Sequence, residues 1–311
     1  MLLKPLERVT AREYRANLAL NQPVIIVGAA TDWPVMQTLQ FSRIRRSLGT
    51  VKVPVRQSDN EFQVFFGDAS EEVGPRKMMS LAEYLDAIES SDNSARRPPY
   101  AGNIAITKDP AVARTLGTLT TDCRFPRLNI EACSIEYRLW IGACGQRSTI
   151  HNDPYHNLNT QIVGQKRFIA FAPEQHQKLY PVFFHRAMWA SPIDPMSPDL
   201  ARYPQFEDAH GFEGVLDPGD LLYLPRFWWH CAEALVTCVN INQWVYSGSC
   251  CQWWHEQPEA RSLIVYKDVL DQQTRKFELL SRELQECFAA DFIKLKAELL
   301  HFAEEQSRVG E

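Results

Sequence analysis

The sequence predicts a mostly β fold, a double-sheet jelly roll flanked by helices. Three observations support this prediction. Short runs rich in strand-forming residues follow one another from residue 135 to residue 246, turn residues separate these runs, and helical patterns lie on both sides of them. Short antiparallel strands at this spacing are typical of sandwiches and barrels. With 311 residues, the chain is long enough for one large β-rich domain with helical additions.

The first hundred residues combine helix and strand signals. A capping box, in which a hydroxyl residue is followed by glutamate three positions later, opens one helix at Thr10 and another at Ser80. Residues 23–28 form an apolar run ended by glycine and predict a buried strand, while residues 51–55 alternate with charge and proline as an edge strand does. We therefore expect an N-terminal α/β elaboration that is joined to the jelly roll in one domain, residues 1–255.

The jelly-roll strands are predicted from apolar alternation between turn residues. Gly164 and Gln165 lie between two strand patterns and predict a tight hairpin, and the turn at 218–220 precedes an apolar strand. The predicted strands are residues 136–143, 149–153, 157–163, 167–171, 214–216, 221–224 and 237–245. Their number and spacing favour a double-stranded β-helix of the cupin kind.

The C-terminal part, residues 256–311, is predicted to be a helical segment. Apolar residues recur there at 3-4-3 spacing and resume one position later. The stripe consists of Phe277, Leu280, Leu284 and Cys287, followed by Phe288, Phe292, Leu295, Leu299 and Phe302. A stripe of this length must be buried, either on its own domain or against the same helix of a second copy. We expect the second arrangement, a homodimer formed by the C-terminal helices.

The composition is that of a globular protein, with 45% apolar and 23% charged residues. The net charge of −5 argues against nucleic-acid binding over the whole surface. One basic cluster stands out, and its members are Arg43, Arg45, Arg46, Lys52 and Arg56. This cluster is either a solvated surface or a local patch for a polyanion.

The expected location follows from several features that the sequence lacks. No apolar run is long enough to span a bilayer, and charge and proline interrupt the N-terminus too early for a secretory signal. The eight cysteines include no C-x-x-C pair and no zinc-site spacing, which favours reduced thiols. We therefore expect a cytoplasmic protein without membrane contact, with the nucleus as the alternative if the source is eukaryotic.

A histidine and a carboxylate two positions apart, His151 and Asp153, are the strongest sign of chemistry. On a β-strand, side chains at positions i and i+2 point to the same face, so both can reach one ion. A second imidazole from a distant strand, His230, would complete a set of two histidines and one carboxylate. That set holds non-haem Fe(II) and leaves positions open for O₂ and a co-substrate. The alternatives are a hydrogen-bonded strand pair at 151 and 153, and a capped loop histidine at 230.

A polar strand face accompanies these residues. Asn157, Asn159 and Gln161 alternate along one strand, while apolar residues occupy its other face. A polar face on an apolar sheet indicates a cavity that contains water, metal or ligand. Lys166 lies fifteen residues after His151, and a buried ammonium group there needs an anionic partner such as a dicarboxylate. A solvated hairpin lysine is the alternative.

Several segments that carry these residues resemble the core of the JmjC-domain 2-oxoglutarate oxygenases. Three of them contain the residues just described, a fourth precedes them, and a fifth resembles the loop that precedes the third ligand. These segments are residues 140–142, 148–157, 164–166, 218–230 and 197–204. The likeness spans roughly residues 20 to 250. Within the family it points to the small hydroxylases, namely the asparaginyl hydroxylase that inhibits hypoxia-inducible factor, the JmjC peptide hydroxylases and the tRNA wybutosine hydroxylase.

The resemblance implies a role for each matching residue. It makes His151, Asp153 and His230 the ligands of Fe(II). It implies that a basic residue and two hydroxyl groups bind the distal carboxylate of 2-oxoglutarate. It also implies that two side-chain amides lie near the end of 2-oxoglutarate that chelates the metal. These residues are Lys166, Ser148 and Tyr100 at the distal end, and Asn157 and Asn242 at the chelating end. Asn240 lies on the same strand face as Asn242 and is the alternative if the register shifts by two.

The resemblance also implies the reaction. It predicts hydroxylation of an unactivated C–H bond by O₂ and 2-oxoglutarate, with release of succinate and CO₂. The expected substrate is an amino-acid side chain of a protein or peptide. One alternative is hydroxylation of a modified tRNA base or a small metabolite, and another is a catalytically inactive cupin-fold binding protein. The complete ligand set argues against the inactive protein.

Overall fold

The computed structural model describes residues 1–246 except 17–20, 57–61, 64–75, 91–99, 108–109, 129, 131, 133, 154 and 186–187. Within these residues the chain consists mainly of β-strands, which form two large sheets. The predicted mostly β jelly roll is therefore confirmed. The predicted C-terminal helical segment, residues 256–311, lies outside the described residues, and the homodimer that we assign to it stays a prediction.

The strands and helices have the following bounds. The strands are β1 (Leu2–Pro5), β2 (Glu7–Val9), β3 (Val24–Ile26), β4 (Lys52–Arg56), β5 (Phe62–Gln63), β6 (Arg76–Ser80), β7 (Ala101–Ala105), β8 (Ser134–Gly142), β9 (Arg147–Ser148), β10 (His156–Val163), β11 (Lys166–Phe171), β12 (Val182–His185), β13 (Met188–Ala190), β14 (His210–Leu216), β15 (Leu221–Leu224), β16 (Trp229–Ala234) and β17 (Cys238–Tyr246). The α-helices are α1 (Ala11–Ala16), α2 (Val35–Thr38), α3 (Phe41–Arg43), α4 (Leu81–Ser90) and α5 (Pro110–Leu116).

Two large sheets form the two layers of the jelly roll. One has six strands in the order β1-β14-β11-β16-β9-β5, and the other has seven in the order β2-β3-β15-β10-β17-β8-β7. The central pairs of both sheets are antiparallel. The N-terminal strands β1 and β2 instead join β14 and β3 in parallel, so that the start of the chain extends one edge of each sheet.

Three hydrophobic clusters hold the layers together. Between the sheets, Phe168 of β11 packs with Leu222 and Leu224 of β15. On the outer face of the seven-stranded sheet, alternate residues of β8, β10 and β17 pack with the helices α2 to α4 and with β4. On the outer face of the six-stranded sheet, the fully buried Trp229 packs with Phe171 and Phe206. Because strand side chains alternate in direction, the remaining positions of the two sheets face each other.

Both predicted capping boxes form. The Thr10 amide donates to Glu13 Oε2 at 2.7 Å, and the Glu13 amide donates to Thr10 Oγ1 at 3.3 Å, ahead of α1. The Ser80 amide donates to Glu83 Oε2 at 2.8 Å, with the reciprocal bond at 3.2 Å, ahead of α4. Each pair satisfies amide groups that a helix start leaves without partners, which is why these helices begin where the sequence predicts.

The predicted hairpin at Gly164 and Gln165 is wrong. The strands on either side, β10 and β11, belong to different sheets, so the turn carries the chain from one layer to the other. Gly164 has a φ of +71°, and a Cβ at this position would collide with the Thr237 carbonyl oxygen. The glycine is needed for the turn, but the turn makes a corner of the jelly roll instead of an antiparallel pair.

A buried carboxylate, Asp220, fastens the N-terminal strands to the jelly roll. Its Oδ1 accepts the Gly28 amide at 2.9 Å, and its Oδ2 accepts Arg8 Nη2 at 2.7 Å and the Asp217 amide at 3.3 Å. Asp220 is 3% exposed, whereas the Arg8 side chain is 41% exposed. The amide bonds therefore contribute more to stability than the ion pair, which water screens in part.

The Asp220→Ala variant is expected to lower the free energy of unfolding by about 2 kcal/mol, because the Gly28 amide loses its buried acceptor. Asp220→Asn keeps an acceptor oxygen and should lose clearly less. Urea denaturation at neutral pH measures both values. Equal losses in the two variants would contradict the assignment of this stability to the amide acceptor.

Among the described helices, none has both the length and the apolar character that crossing a membrane requires.

Candidate metal centre

Backbone pairing brings His151 and His230 together. The His151 amide donates to the His230 carbonyl at 3.0 Å, and the His230 amide donates to the His151 carbonyl at 2.7 Å. The predicted strand at 149–153 is wrong, because β9 ends at Ser148 and His151 forms only isolated bridges, to His230 and to Ala190, in the part of the chain that the structure describes. The two imidazoles meet because their backbones are each other's partners, with ring centroids 4.3 Å apart.

A strained turn fixes the third residue. The Asp153 carbonyl accepts the Phe227 amide at 2.7 Å, which ties the segment after His151 to the turn before His230. Phe227 has a φ of +66°, a left-handed conformation that is unfavourable for an aromatic residue. Backbone strain of this kind persists only where the surrounding contacts hold it and is common at functional sites.

Hydrogen bonds orient both imidazole rings toward Asp153. His151 Nδ1 lies 2.8 Å from the Thr149 carbonyl, and His230 Nδ1 lies 3.0 Å from the Trp228 carbonyl. A carbonyl only accepts, so each Nδ1 carries the proton and each Nε2 keeps a lone pair. The Nε2 atoms of His151 and His230 lie 3.9 and 3.6 Å from Asp153 Oδ2.

The electrostatics of the three residues suit a cation. All three are buried, and one ligand atom from each lies within 4.8 Å of the other two. Burial raises the pKa of Asp153, and burial is also the main cause of the lowered pKa of His230. A bound cation would favour both the carboxylate and the neutral imidazole. Two imidazoles and a carboxylate fit a divalent metal such as Fe(II) and leave the rest of its coordination sphere open.

Lys166 lies at the start of β11 and points between the sheets, where it is 6% exposed. Its Nζ donates to Asn240 Oδ1 at 2.6 Å, and burial lowers its pKa. The hairpin-lysine alternative is therefore wrong. Asn242 Nδ2 donates to Asn157 Oδ1 at 3.1 Å, so the two predicted amides are neighbours. Asn240 and Asn242 both face this interior, and which of them contacts the chelating end of the co-substrate stays a prediction.

The two predicted hydroxyl residues have different neighbours. Tyr100 has its ring centroid 6.1 Å from that of Trp140, and Lys166 Nζ lies 5.9 Å from the Trp140 centroid. Ser148 is on β9, and its Oγ accepts the Ala232 amide at 2.9 Å. Tyr100 and Lys166 thus share Trp140 as a neighbour, while the hydroxyl of Ser148 accepts from strand β16.

A group of residues beside the metal ligands was not predicted from the sequence. Tyr155 places its hydroxyl beside the Asp153 carboxylate and stacks on Trp244, with centroids 4.2 Å apart. Arg138 covers Trp244 at 4.7 Å and pairs with the buried Glu136. The alternation of Glu136, Arg138 and Trp140 along β8 was a detectable signal, because polar residues rarely recur on an inward strand face.

The Tyr155→Phe variant is expected to bind Co(II) about 10- to 100-fold more weakly than the wild-type protein. The substitution keeps the ring stacked on Trp244 but removes the hydroxyl that holds Asp153. Competition with a chromophoric chelator measures the affinity. Tyr137→Phe, which removes a hydroxyl from the outer face of β8, is the matched control. Wild-type metal affinity in Tyr155→Phe would contradict this role.

A further histidine and the basic cluster lie away from the metal centre. His156 is buried on the opposite face of β10, 2.8 Å from the Tyr223 hydroxyl, and burial lowers its pKa to about 4. In the basic cluster, Arg45 pairs with Asp86 and Glu89 of α4. Because two carboxylates already neutralise this guanidinium, it contributes little attraction for a polyanion. The interpretation as a solvated surface is therefore favoured.

The fold and the ligand set define a class, that of jelly-roll proteins that can hold a metal ion with two histidines and one carboxylate between two sheets. Residues 10–251 match the family model of the cupin-like domain. Because the match covers most of the chain, the chain belongs to the cupin-like domain family. Its likeness to JmjC-domain proteins, predicted from the sequence, is confirmed by the known proteins that it matches.

Three relatives illustrate this likeness. The chain is 38% identical to human HSPB1-associated protein 1 over 266 residues, which cover 78% of this chain and 51% of that protein. It is 24% identical over 257 residues to the human bifunctional peptidase and (3S)-lysyl hydroxylase JMJD7, and the match covers 74% of this chain and 79% of that protein. It is 25% identical over 266 residues to Jumonji C domain-containing protein 5 of Drosophila melanogaster, and the match covers 78% of this chain and 62% of that protein. The chain spans about half the length of the HSPB1-associated proteins that it matches.

Proposed function

We propose that this protein is an Fe(II)- and 2-oxoglutarate-dependent dioxygenase that hydroxylates an amino-acid side chain of a protein or peptide. The observation that carries the proposal is the convergence of His151, Asp153 and His230, whose ligand atoms lie within 4.8 Å of one another. The buried ammonium of Lys166 supports it, because an anionic co-substrate is the natural partner of such a charge.

In this proposal the protein residues bind and orient, and the metal supplies the redox chemistry. Bound Fe(II) would couple the reduction of O₂ to the decarboxylation of 2-oxoglutarate, so that one oxygen atom enters succinate and the other enters the C–H bond. Lys166 would pair with the distal carboxylate of 2-oxoglutarate. Ser148 and Tyr100 would assist there, while Asn157 and Asn242 would contact the chelating end. The walls of the jelly roll would exclude bulk water from the reacting atoms.

The proposed substrate class is supported by the names of the relatives. JMJD7 is named a (3S)-lysyl hydroxylase, and this chain matches 79% of its length. HSPB1-associated protein 1 is named for its association with a protein. A tRNA substrate has less support, because Arg45 of the basic cluster is already paired with carboxylates. A cytoplasmic location remains part of the proposal.

The first experiment tests the metal and the co-substrate together. Anaerobic addition of Fe(II) and 2-oxoglutarate to the full-length protein should give a weak charge-transfer band in the visible region. The His151→Ala variant should give none. The absence of the band in the wild-type protein, or its persistence in the variant, would refute the proposed site.

The second experiment identifies the substrate class. Succinate release is measured with peptide, tRNA and metabolite pools, and products are then examined by mass spectrometry for the gain of one oxygen atom. We expect the gain in the peptide pool. A gain confined to the tRNA or metabolite pool would overturn the substrate class but not the chemistry.

A further inference from the structure

Four buried amides extend from Lys166 toward the metal ligands. This asparagine ladder consists of Asn157, Asn159, Asn240 and Asn242. Asn240 Nδ2 donates to Asn159 Oδ1 at 3.1 Å and to Asn242 Oδ1 at 2.9 Å, and Asn242 in turn donates to Asn157. All four residues are at most 5% exposed. The ladder therefore lies on the inward face of the seven-stranded sheet. Asn157, at its end, follows the metal ligand Asp153 by four residues in the sequence.

Lys166 determines which way the amides point. An ammonium group can only donate hydrogen bonds, so the oxygen of Asn240 must face it, and the Asn240 NH₂ group must face away. The oxygen of Asn242 then accepts from that NH₂ group, and the Asn242 NH₂ group is directed to Asn157. One charge thus orders a row of amides that could otherwise flip, because each amide has one correct orientation relative to the last.

Asn240 holds the ammonium group without neutralising it. Within the described part of the chain, no carboxylate lies within ion-pair distance of Lys166, and its neighbours include the Asn240 amide, the Trp140 ring and Cys238. An amide oxygen is a good acceptor but carries no net charge. A buried charge with only a neutral acceptor is costly, and such an arrangement suits a site that gains an anion on binding.

We propose that Asn240 is a positioning residue for the keto-acid co-substrate, because it holds the Lys166 ammonium in place and sets the orientation of the amides that lead to the metal. This inference rests on the proposed function. It requires a neutral acceptor at position 240. A carboxylate at this position would pair with Lys166 and so compete with the carboxylate of 2-oxoglutarate. An apolar side chain would remove the hydrogen bonds that connect the Lys166 ammonium to the asparagine ladder.

Two substitutions of similar size separate these effects. Binding of 2-oxoglutarate to the Co(II)-loaded full-length protein is measured by calorimetry without O₂, alongside Co(II) affinity and the melting temperature of the metal-free protein. Asn240→Asp should weaken 2-oxoglutarate binding by about 100-fold or more, because the new carboxylate pairs with Lys166. Asn240→Leu should weaken it by about tenfold. Co(II) affinity should change less than about threefold in both.

The metal-free stability gives a signature that a merely structural role would not produce. Asn240→Asp should raise the melting temperature, because it neutralises a buried ammonium, while Asn240→Leu should lower it. The Val236→Glu variant controls for charge alone, since Val236 is exposed beside the Gly164 corner. It should change 2-oxoglutarate affinity less than about twofold.

The outcomes separate the inference from the function on which it rests. If the wild-type protein binds Co(II) but not 2-oxoglutarate, the proposed function fails and the inference fails with it. If the wild-type protein binds both and Asn240→Asp binds 2-oxoglutarate equally well, only the inference fails. Equal losses in both variants, with lowered stability in both, would also overturn it. If Asn240→Asp does not fold, the Asn240→Leu variant is sufficient as a test. A wild-type affinity of Asn240→Leu for 2-oxoglutarate would then overturn the inference.

Discussion

The Asp153→Asn variant is expected to lose metal binding and, in its metal-free form, to melt at a higher temperature than the metal-free wild-type protein. The amide has the shape of the carboxylate but no charge, so the affinity for Co(II) or Fe(II) should fall by about 100-fold or more. Succinate release should fall with it. The gain in stability follows from the raised pKa of Asp153, which reflects the cost of burying its charge.

The size of this stability difference depends on pH. A carboxyl group whose pKa is raised on folding destabilises the folded state above its unfolded pKa of about 4, and has no such effect below it. The gain of about 2–4 °C in Asp153→Asn should therefore be present at neutral pH and shrink as the pH approaches 4. Asp199→Asn, which changes an exposed carboxylate, is the control. A metal-free Asp153→Asn protein that melts lower than wild type would show that the carboxylate serves the fold.

The Lys166→Met variant is expected to keep its metal and lose its co-substrate. Methionine fills a similar volume with an apolar chain, so the fold keeps its packing while the ammonium disappears. The affinity of the Co(II)-loaded protein for 2-oxoglutarate should fall by about 100-fold or more, because the anion then has no buried cation to pair with. Calorimetry without O₂ measures the affinity for 2-oxoglutarate and for the metal in the same preparation.

A matched control makes the second result specific. Lys178→Met removes a partly exposed lysine that donates to the Asp208 carbonyl, and it should bind 2-oxoglutarate as the wild-type protein does. The metal-free Lys166→Met protein should also be at least as stable as wild type, because burial already lowers the pKa of that lysine. Unchanged co-substrate affinity in Lys166→Met would refute the role given to this lysine.

The strands of the jelly roll could be predicted because their signals are local. Alternation of apolar residues located β8, β10, β11, β15 and β17 to within a few residues. The corner at Gly164 was taken for a hairpin because a turn signal says where the chain reverses, not which sheet the next strand joins. The short N-terminal strands β1 and β2 have mostly exposed side chains, so they carry no alternation that could reveal them.

The metal ligands could be predicted because their residue types and spacing are unusual in themselves. The reason first given for His151 and Asp153 was wrong, since they do not share a regular strand, and the bridge to His230 positions them instead. Tyr155 was missed because its role depends on Trp244, a residue far away in the sequence that holds its ring. Asn240 was considered only as a register alternative, because its contact with Lys166 joins two sheets.

The paired backbones of His151 and His230 give the metal a second consequence. Their mutual amide bonds close a loop of roughly 80 residues that contains much of the jelly roll, and closing a long loop is entropically costly. A metal ion bound by both imidazoles would stabilise the two hydrogen bonds that close this loop. Hydrogen exchange of these two amides then becomes a gauge of occupancy, slow when the ion is bound and faster when it is removed.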